Sequence, residues 1–413
     1  MLGSFRGRDC AADALVNALA DVGARPRART TWWFAAAIVL VAANLRPAVV
    51  GVAPVLPEIQ RSLGLSATAS GVLTALPVLC FGLLAPAAPR LARRFGIGRT
   101  LLGALVLITL GLAVRSSGPT ATLFAGAVLV GSAIAIGNVL LPGLIKRDFP
   151  HRTGSMTGIY SMAISAGGAL AAGTTVPVAR ALGVDWRGAL AFWSLFALVA
   201  LLCWLPHVRW VDRARGMREV RVRGLWRSPL AWQVTAFMGL QSLGFYATAA
   251  WLPVIFVDRG FDPATAGWLL ALASIVGLSG SMAAPMLATR LRQQRAVAAG
   301  LTAVAALGLL GVLLLPGAEI VSMALLGVGQ GAALGLSLTL MVLRSPDAAH
   351  AAQLSGMAQC VGYIGAATGP FAVGALHDLT GSWTVPILLL LGVFIAQATM
   401  GALAGRDRLV AAG

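Results

Sequence analysis

Asn44-Leu45-Arg46-Pro47 interrupts a run from Thr31 to Ile59 that is otherwise apolar or small apart from Glu58. As a helix, a run of about 29 residues rises roughly 43 Å, enough to cross a bilayer. Arg46 falls near its midpoint, where holding a guanidinium in lipid costs about 2.5 to 3.5 kcal/mol on insertion scales. A charge at that depth belongs in a bundle interior or a wet cavity, so the four residues point to a many-helix membrane protein with a task for its arginine.

The rest of the chain agrees. Of 413 residues 58% are hydrophobic and 11% charged, and the mean hydropathy of +0.85 leaves more apolar surface than a soluble domain can bury. The net charge of +17 would suggest nucleic acid in a soluble protein. Here the arginines cluster between apolar segments, where membrane topology places them, and nucleic-acid binding is excluded. Lys146 is the one lysine against thirty arginines, a bias of GC-rich coding that suggests a bacterial source. Cys10, Cys80, Cys203 and Cys360 show no metal or disulfide spacing. No metal and no cofactor are expected.

Apolar runs of spanning length occur at roughly 31–59, 67–89, 99–115, 120–145, 154–180, 187–207, 229–257, 263–289, 296–315, 318–343, 352–377 and 383–405. The expected organisation is a tail at 1–30, a six-helix bundle at 31–207, a basic central loop at 208–228, a second bundle at 229–405 and a tail at 406–413. With both tails cytoplasmic, about 25 Lys and Arg fall inside and about five outside, the bias that fixes orientation. The chain is therefore read as a monomeric multi-pass protein of the cell (inner) membrane.

The two halves are related. A shift of 196 residues aligns Pro57 with Pro253, Gly64 with Gly260, Gly71 with Gly267, Pro89 with Pro285, Arg94 with Arg290 and Arg99 with Arg295. Parallel six-helix repeats with a site between them near mid-membrane make an alternating-access carrier.

On this duplication, the central loop and the segment Pro89-Arg90-Leu91-Ala92-Arg93-Arg94-Phe95-Gly96-Ile97-Gly98-Arg99 after span 2, the chain resembles the major facilitator superfamily. That segment is a degenerate form of the superfamily's basic loop, with Ala92 or Arg93 where an acidic residue is usual. A narrower resemblance is to the cyanate transporter family, which includes a relative associated with 2-nitroimidazole efflux. It is carried by Asn44-Leu45-Arg46-Pro47, Pro54-Val55-Leu56-Pro57, Thr74-Ala75-Leu76-Pro77-Val78, Leu141 to Phe149, and Ala250-Trp251-Leu252-Pro253. The resemblance implies an all-α membrane fold of twelve helices in two pseudo-symmetric bundles, and a small anion or small polar heteroaromatic as substrate.

Within the spans the titratable residues reduce to Arg46, with Glu58 and Asp258 at the ends of spans 1 and 7. A lone positive charge at low dielectric calls for an anion. Candidate partners in lining the site are Asn44, Asn138, Tyr160, Gln241, Ser242, Tyr246, Trp251, Gln330, Gln359 and Tyr363; by the repeat offset Ser242 takes the place in span 7 that Arg46 holds in span 1. The polar members also read as interhelical glue, and the aromatics as interface anchors. Arg94, Arg99, Arg290, Arg295, Lys146 and Arg147 are candidate gating or topology-setting groups. No HExxH, GxSxG or buried Asp/His pair marks an enzyme. The expected function is carriage of a small, cyanate-like anion with Arg46 as the binding group. Export of a small polar heteroaromatic or drug-like compound is the alternative.

Overall fold

The computed structural model describes residues 28–213 and 224–410. Arg6, Arg8, Cys10, Arg25 and Arg27 of the first tail, Arg215, Arg218, Arg221 and Arg223 of the central loop, and residues 411–413 lie outside the described residues. Every long regular element within them is helical.

The first span is in three pieces, α1 (Ala28–Ala43), α2 (Pro47–Val50) and α3 (Leu56–Leu63). Then come α4 (Ala67–Leu84), a short loop helix α5 (Ala87–Phe95), α6 (Ile97–Ser116), α7 (Thr120–Asp148), α8 (Thr153–Leu182), α9 (Trp186–Trp204) and the short α10 (Val208–Arg213). The second half holds α11 (Pro229–Asp258), α12 (Pro263–Thr289), α13 (Arg295–Leu314), α14 (Glu319–Leu343), α15 (Ala348–Ala366), α16 (Thr368–Thr380) and α17 (Thr384–Ala404). Eleven spans among the described residues are long and apolar enough to cross a bilayer. The twelfth expected crossing, 352–377, is the pair α15 and α16, divided at Ala367 just before Gly369-Pro370. Proline has no N–H to continue the ladder.

Turns between helices use local chemistry. Gly64 and Gly183 end α3 and α8 at φ +63 each, where a side chain would be strained. Ser66, Asp185 and Asp262 then cap the following helices by accepting the backbone N–H of Ala69, Gly188 and Ala264 at 3.1, 3.1 and 3.0 Å. All these turns lie on the face opposite the chain ends, the far face.

The halves meet along two principal seams, α4 against α15 and α16, and α8 against α12. Small residues set the distance of approach: a Cβ on Gly71 would stand 2.5 Å from the Pro370 carbonyl oxygen, and one on Gly267 would collide with the Ala172 carbonyl. Asp378 at the end of α16 accepts the N–H groups of Ala67 and Thr68 at 3.0 and 2.7 Å and the Thr68 hydroxyl at 2.6 Å. Arg180 on α8 pairs with Asp262 at 2.5 Å. Packing repeats the asymmetry. One apolar core joins Val50, Leu56, Trp186, Trp251, Leu269 and Phe394 from both halves at the far face. Towards the chain ends the cores are nearly separate, one around Phe34, Ile108 and Leu144, the other around Phe237, Leu336 and Leu354. The halves thus share one apolar core at the far face and have largely separate cores towards the terminal face.

Candidate functional site

The break in the first span builds the site. Pro47 cannot donate, and over Asn44 and Leu45 the backbone tightens, their N–H groups reaching Val41 and Ala42 carbonyls at 3.1 Å each instead of one residue further back. That leaves the Leu40 carbonyl without its usual donor, and the Asn44 side-chain amide supplies one at 2.8 Å. Asn44 is buried and repairs the break rather than facing across it.

Arg46 follows the break as the residue preceding α2. Its stem runs along Gly168 of α8, where a Cβ would stand 3.3 Å from the arginine Cβ. The guanidinium carbon sits 4.5 Å from the centroid of the Phe245 ring on α11, a cation–π arrangement that spans the two halves. Phe245 lies edge-on to Tyr246 with centroids 5.1 Å apart, and Tyr160 (α8), Tyr246 (α11) and Tyr363 (α15) are within electrostatic reach of the guanidinium. These are all three tyrosines of the chain. Phe81 of α4 closes the group edge-on to Tyr246 and Tyr363, with centroids 6.1 and 5.6 Å away, and the two tyrosine rings are 6.3 Å apart. Among the described residues neither the guanidinium nor any tyrosine hydroxyl has a hydrogen-bond or ion-pair partner.

The other expected lining residues divide. Gln241 donates to the Gln330 carbonyl at 3.4 Å and accepts from Ser242 at 3.4 Å, while Gln330 donates to Thr248 at 3.1 Å. This chain of contacts stays inside the second half and ties α11 to α14. The Trp251 indole N–H is spent on the Pro370 carbonyl at 2.8 Å. Gln359 donates to Ser355 one turn back at 3.0 Å. Asn138 is half-buried on α7 without a described side-chain partner. Glu58 accepts the Trp186 backbone N–H at 3.3 Å and Asp258 the Trp383 indole at 2.9 Å, both at the far face.

The basic groups are peripheral. Lys146 and Arg290 are exposed, and Arg94 stacks on Phe95 at 5.3 Å. Arg147 makes a two-point pair with Asp148 at 2.6 and 2.9 Å. Arg99 lies 3.5 Å from Asp212 of α10, and Arg295 opens α13 at the terminal face.

Sequence reasoning missed three features. Phe245, rather than the offset partner Ser242, lies beneath Arg46, one helical turn further along α11. The repeat offset assumes continuous helices, and the first span is broken where α11 is not. Arg115 is a buried cation, more enclosed than half-buried Arg46: it is 2% exposed at the end of α6, donating to the Ala48 carbonyl at 2.5 Å with Nε and Nη2 unpaired. Its place at a span boundary made it look like a loop residue; Gly126, a glycine on the adjoining helix, was the signal of close packing there. Asp212 is the third, and its contact crosses more than a hundred residues of chain.

Residues 32–370 match the model of the Major Facilitator Superfamily, and the chain belongs to that family of membrane transporters. It is 42% identical to the 2-nitroimidazole transporter of Escherichia coli (strain K12) over 90% of this chain and 95% of that one. Similarity to the cyanate transport protein CynX of the same organism is 32%, covering 87% and 94% of the two chains. Among solved structures, a bacterial homologue of the human lysosomal transporter Spinster superposes with a TM-score of 0.72 at 15% identity, covering 92% of this chain and 97% of that one. The fold is that of a transporter, and no enzyme function attaches to it.

Proposed function

We propose that the protein carries a small anion across the membrane by alternating access, with Arg46 as the group that binds it. The observation that carries this reading is the guanidinium held at mid-span against Phe245, close to a cluster of aromatic rings and, among the described residues, without a hydrogen-bond or ion-pair partner. Arginine stays protonated, so a site of this kind is completed by a negative charge that takes two parallel N–H bonds and accepts from phenols. The names of two relatives, one a cyanate and one a 2-nitroimidazole transporter, support a substrate of that size.

Export of a small polar heteroaromatic is the second reading, and the ring cluster of Phe81, Tyr246 and Tyr363 favours it. Counterflow in proteoliposomes with cyanate, nitrate, small carboxylates and 2-nitroimidazole separates the two. Trans-stimulation by an anion supports the first; stimulation by neutral 2-nitroimidazole alone overturns it.

Neither Glu58 nor Asp258 reaches the site, so the mode of transport in this proposal is facilitated diffusion, exchange, or coupling through protonation of the substrate itself. Both termini and the loop 208–228 are assigned to the cytoplasm on the arginine bias. A cysteine placed between residues 214 and 223 then reacts with impermeant thiol reagents only in inside-out vesicles.

A further inference from the structure

At the terminal face of the second half, Gln293, Arg295, Arg406, Asp407 and Arg408 line an open cleft of about 370 Å³. We propose that this cleft binds the phosphate headgroup of an anionic phospholipid.

The backbone that carries the three arginines is held in place. Gln294, buried between them and the bundle, donates its backbone N–H to the Gly405 carbonyl at 2.9 Å and its side-chain amide to the Ala288 carbonyl at 2.9 Å. Arg344, 3% exposed, donates to Gln294 and, at 3.0 Å, to the Ala404 carbonyl, while its own carbonyl takes the Val410 N–H at 2.8 Å. Residues 406–409 are therefore pinned on both sides, and Gly405 fits so closely that a Cβ would stand 2.7 Å from the Arg295 nitrogen. The lining holds three arginines and one carboxylate, Asp407, part of whose charge is answered by Arg344 at 3.9 Å. Arg295 is also the first residue of α13, whose N-terminal end adds partial positive charge.

A surplus of positive charge on a held backbone calls for an anion with several acceptor oxygens. Two observations favour a lipid over free phosphate. The cleft lies at the terminal-face ends of α13 and α17, two helices long and apolar enough to cross a bilayer, and Leu409 and Leu291, near its lining residues in sequence, are 58% and 43% exposed, an apolar rim that suits an acyl chain.

The test uses the full chain in neutral detergent and follows thermal unfolding with added phosphatidylglycerol, phosphatidylcholine or inorganic phosphate. Phosphatidylglycerol raises the midpoint in the wild type well above phosphatidylcholine, and Arg406→Gln/Arg408→Gln loses at least half of that difference. Arg209→Gln/Arg227→Gln, which removes the same charge elsewhere on this face, keeps it. Asp407→Asn, which leaves the cleft without its opposing carboxylate, increases it. Inorganic phosphate without effect identifies the lipid; inorganic phosphate with an equal effect assigns the same cleft to the free ion. No phosphatidylglycerol shift in the wild type, an undiminished shift in the double variant, or equal loss in the control pair overturns the proposal.

Discussion

Asp212 accepts the backbone N–H of Gly98 at 2.7 Å, joining the end of the first bundle to the start of its third spanning helix. The loop between α5 and α6 lacks the acidic residue usual in its family, and a carboxylate from α10 arrives there instead. Gly96, at φ +92, leaves no room for a Cβ beside it. The repeat has a counterpart, since Gln294, 196 residues after Gly98, donates its N–H to Gly405 beyond the twelfth crossing. Asp212→Ala strands the Gly98 N–H and is expected to cost about 1 to 2 kcal/mol, whereas Asp212→Asn keeps an acceptor and loses only the pair with exposed Arg99, under about 1 kcal/mol. Thermal unfolding of the two variants side by side checks the order; equal losses would contradict it.

Arg46 gives the sharpest functional expectation. Arg46→Gln removes the charge from a place where charge is expensive, so the protein inserts normally and no longer binds the anion. Arg46→Lys keeps a point charge but loses the planar fork, and substrate affinity falls at least tenfold, about 1.4 kcal/mol. Binding measured on purified, folded variants decides; unchanged affinity in Arg46→Gln sinks the anion site.

Opening of the far face depends modestly on Asp262. The hydrogen bond from Arg180 holds its carboxyl below the usual carboxylate range. A depressed value means the contribution is present above the ordinary carboxylate pKa and is lost as pH falls through the lowered one, below about pH 4. Both side chains are about half exposed, so solvent screens the pair and its contribution is small. A cysteine at Ala271, buried in the closed seam, should be labelled from the far side less than about fivefold faster in Asp262→Asn than in the parent. The difference should vanish at acid pH.

Arg115 tests the opposite sign. Keeping a guanidinium dry costs several kcal/mol, and among the described residues it has one hydrogen bond and no carboxylate in return. Arg115→Met strands the Ala48 carbonyl at a cost of about 1 to 3 kcal/mol. Relief of the buried charge outweighs the stranded carbonyl, and the variant is expected to be at least as resistant to heat as the parent. A clear loss of stability would reveal an unrecognised counter-charge.

How much of this could be read beforehand follows from the range of each interaction. Arg46 was legible because a charge inside a span is rare, and Tyr160, Tyr246 and Tyr363 because the chain has no other phenols. Their convergence was not, since it joins α8, α11 and α15 across the bundle. The broken first span was announced by Pro47, Pro54 and Pro57, but the side on which Asn44 would spend its amide depends on which carbonyl the break frees. Phe245 was hidden by the repeat itself, which pointed to Ser242. Asp378 and Asp212 were unreadable because each caps a helix distant in sequence, and nothing local distinguishes such an aspartate from a solvated one.

The cap that Asp378 places on α4 bears on how evenly the conformations are weighted. Its three bonds end on groups at the rim of the membrane, where water can take over each acceptor or donor, so breaking them forfeits only about 1 kcal/mol apiece. Asp378 therefore adds direction more than strength to the far face, and what chiefly holds that face shut is the apolar core that joins both halves around Trp251 and Leu269. A ligand opens that face only by as much as it binds the open form better than the closed one, and it has to work against the whole core rather than against three hydrogen bonds.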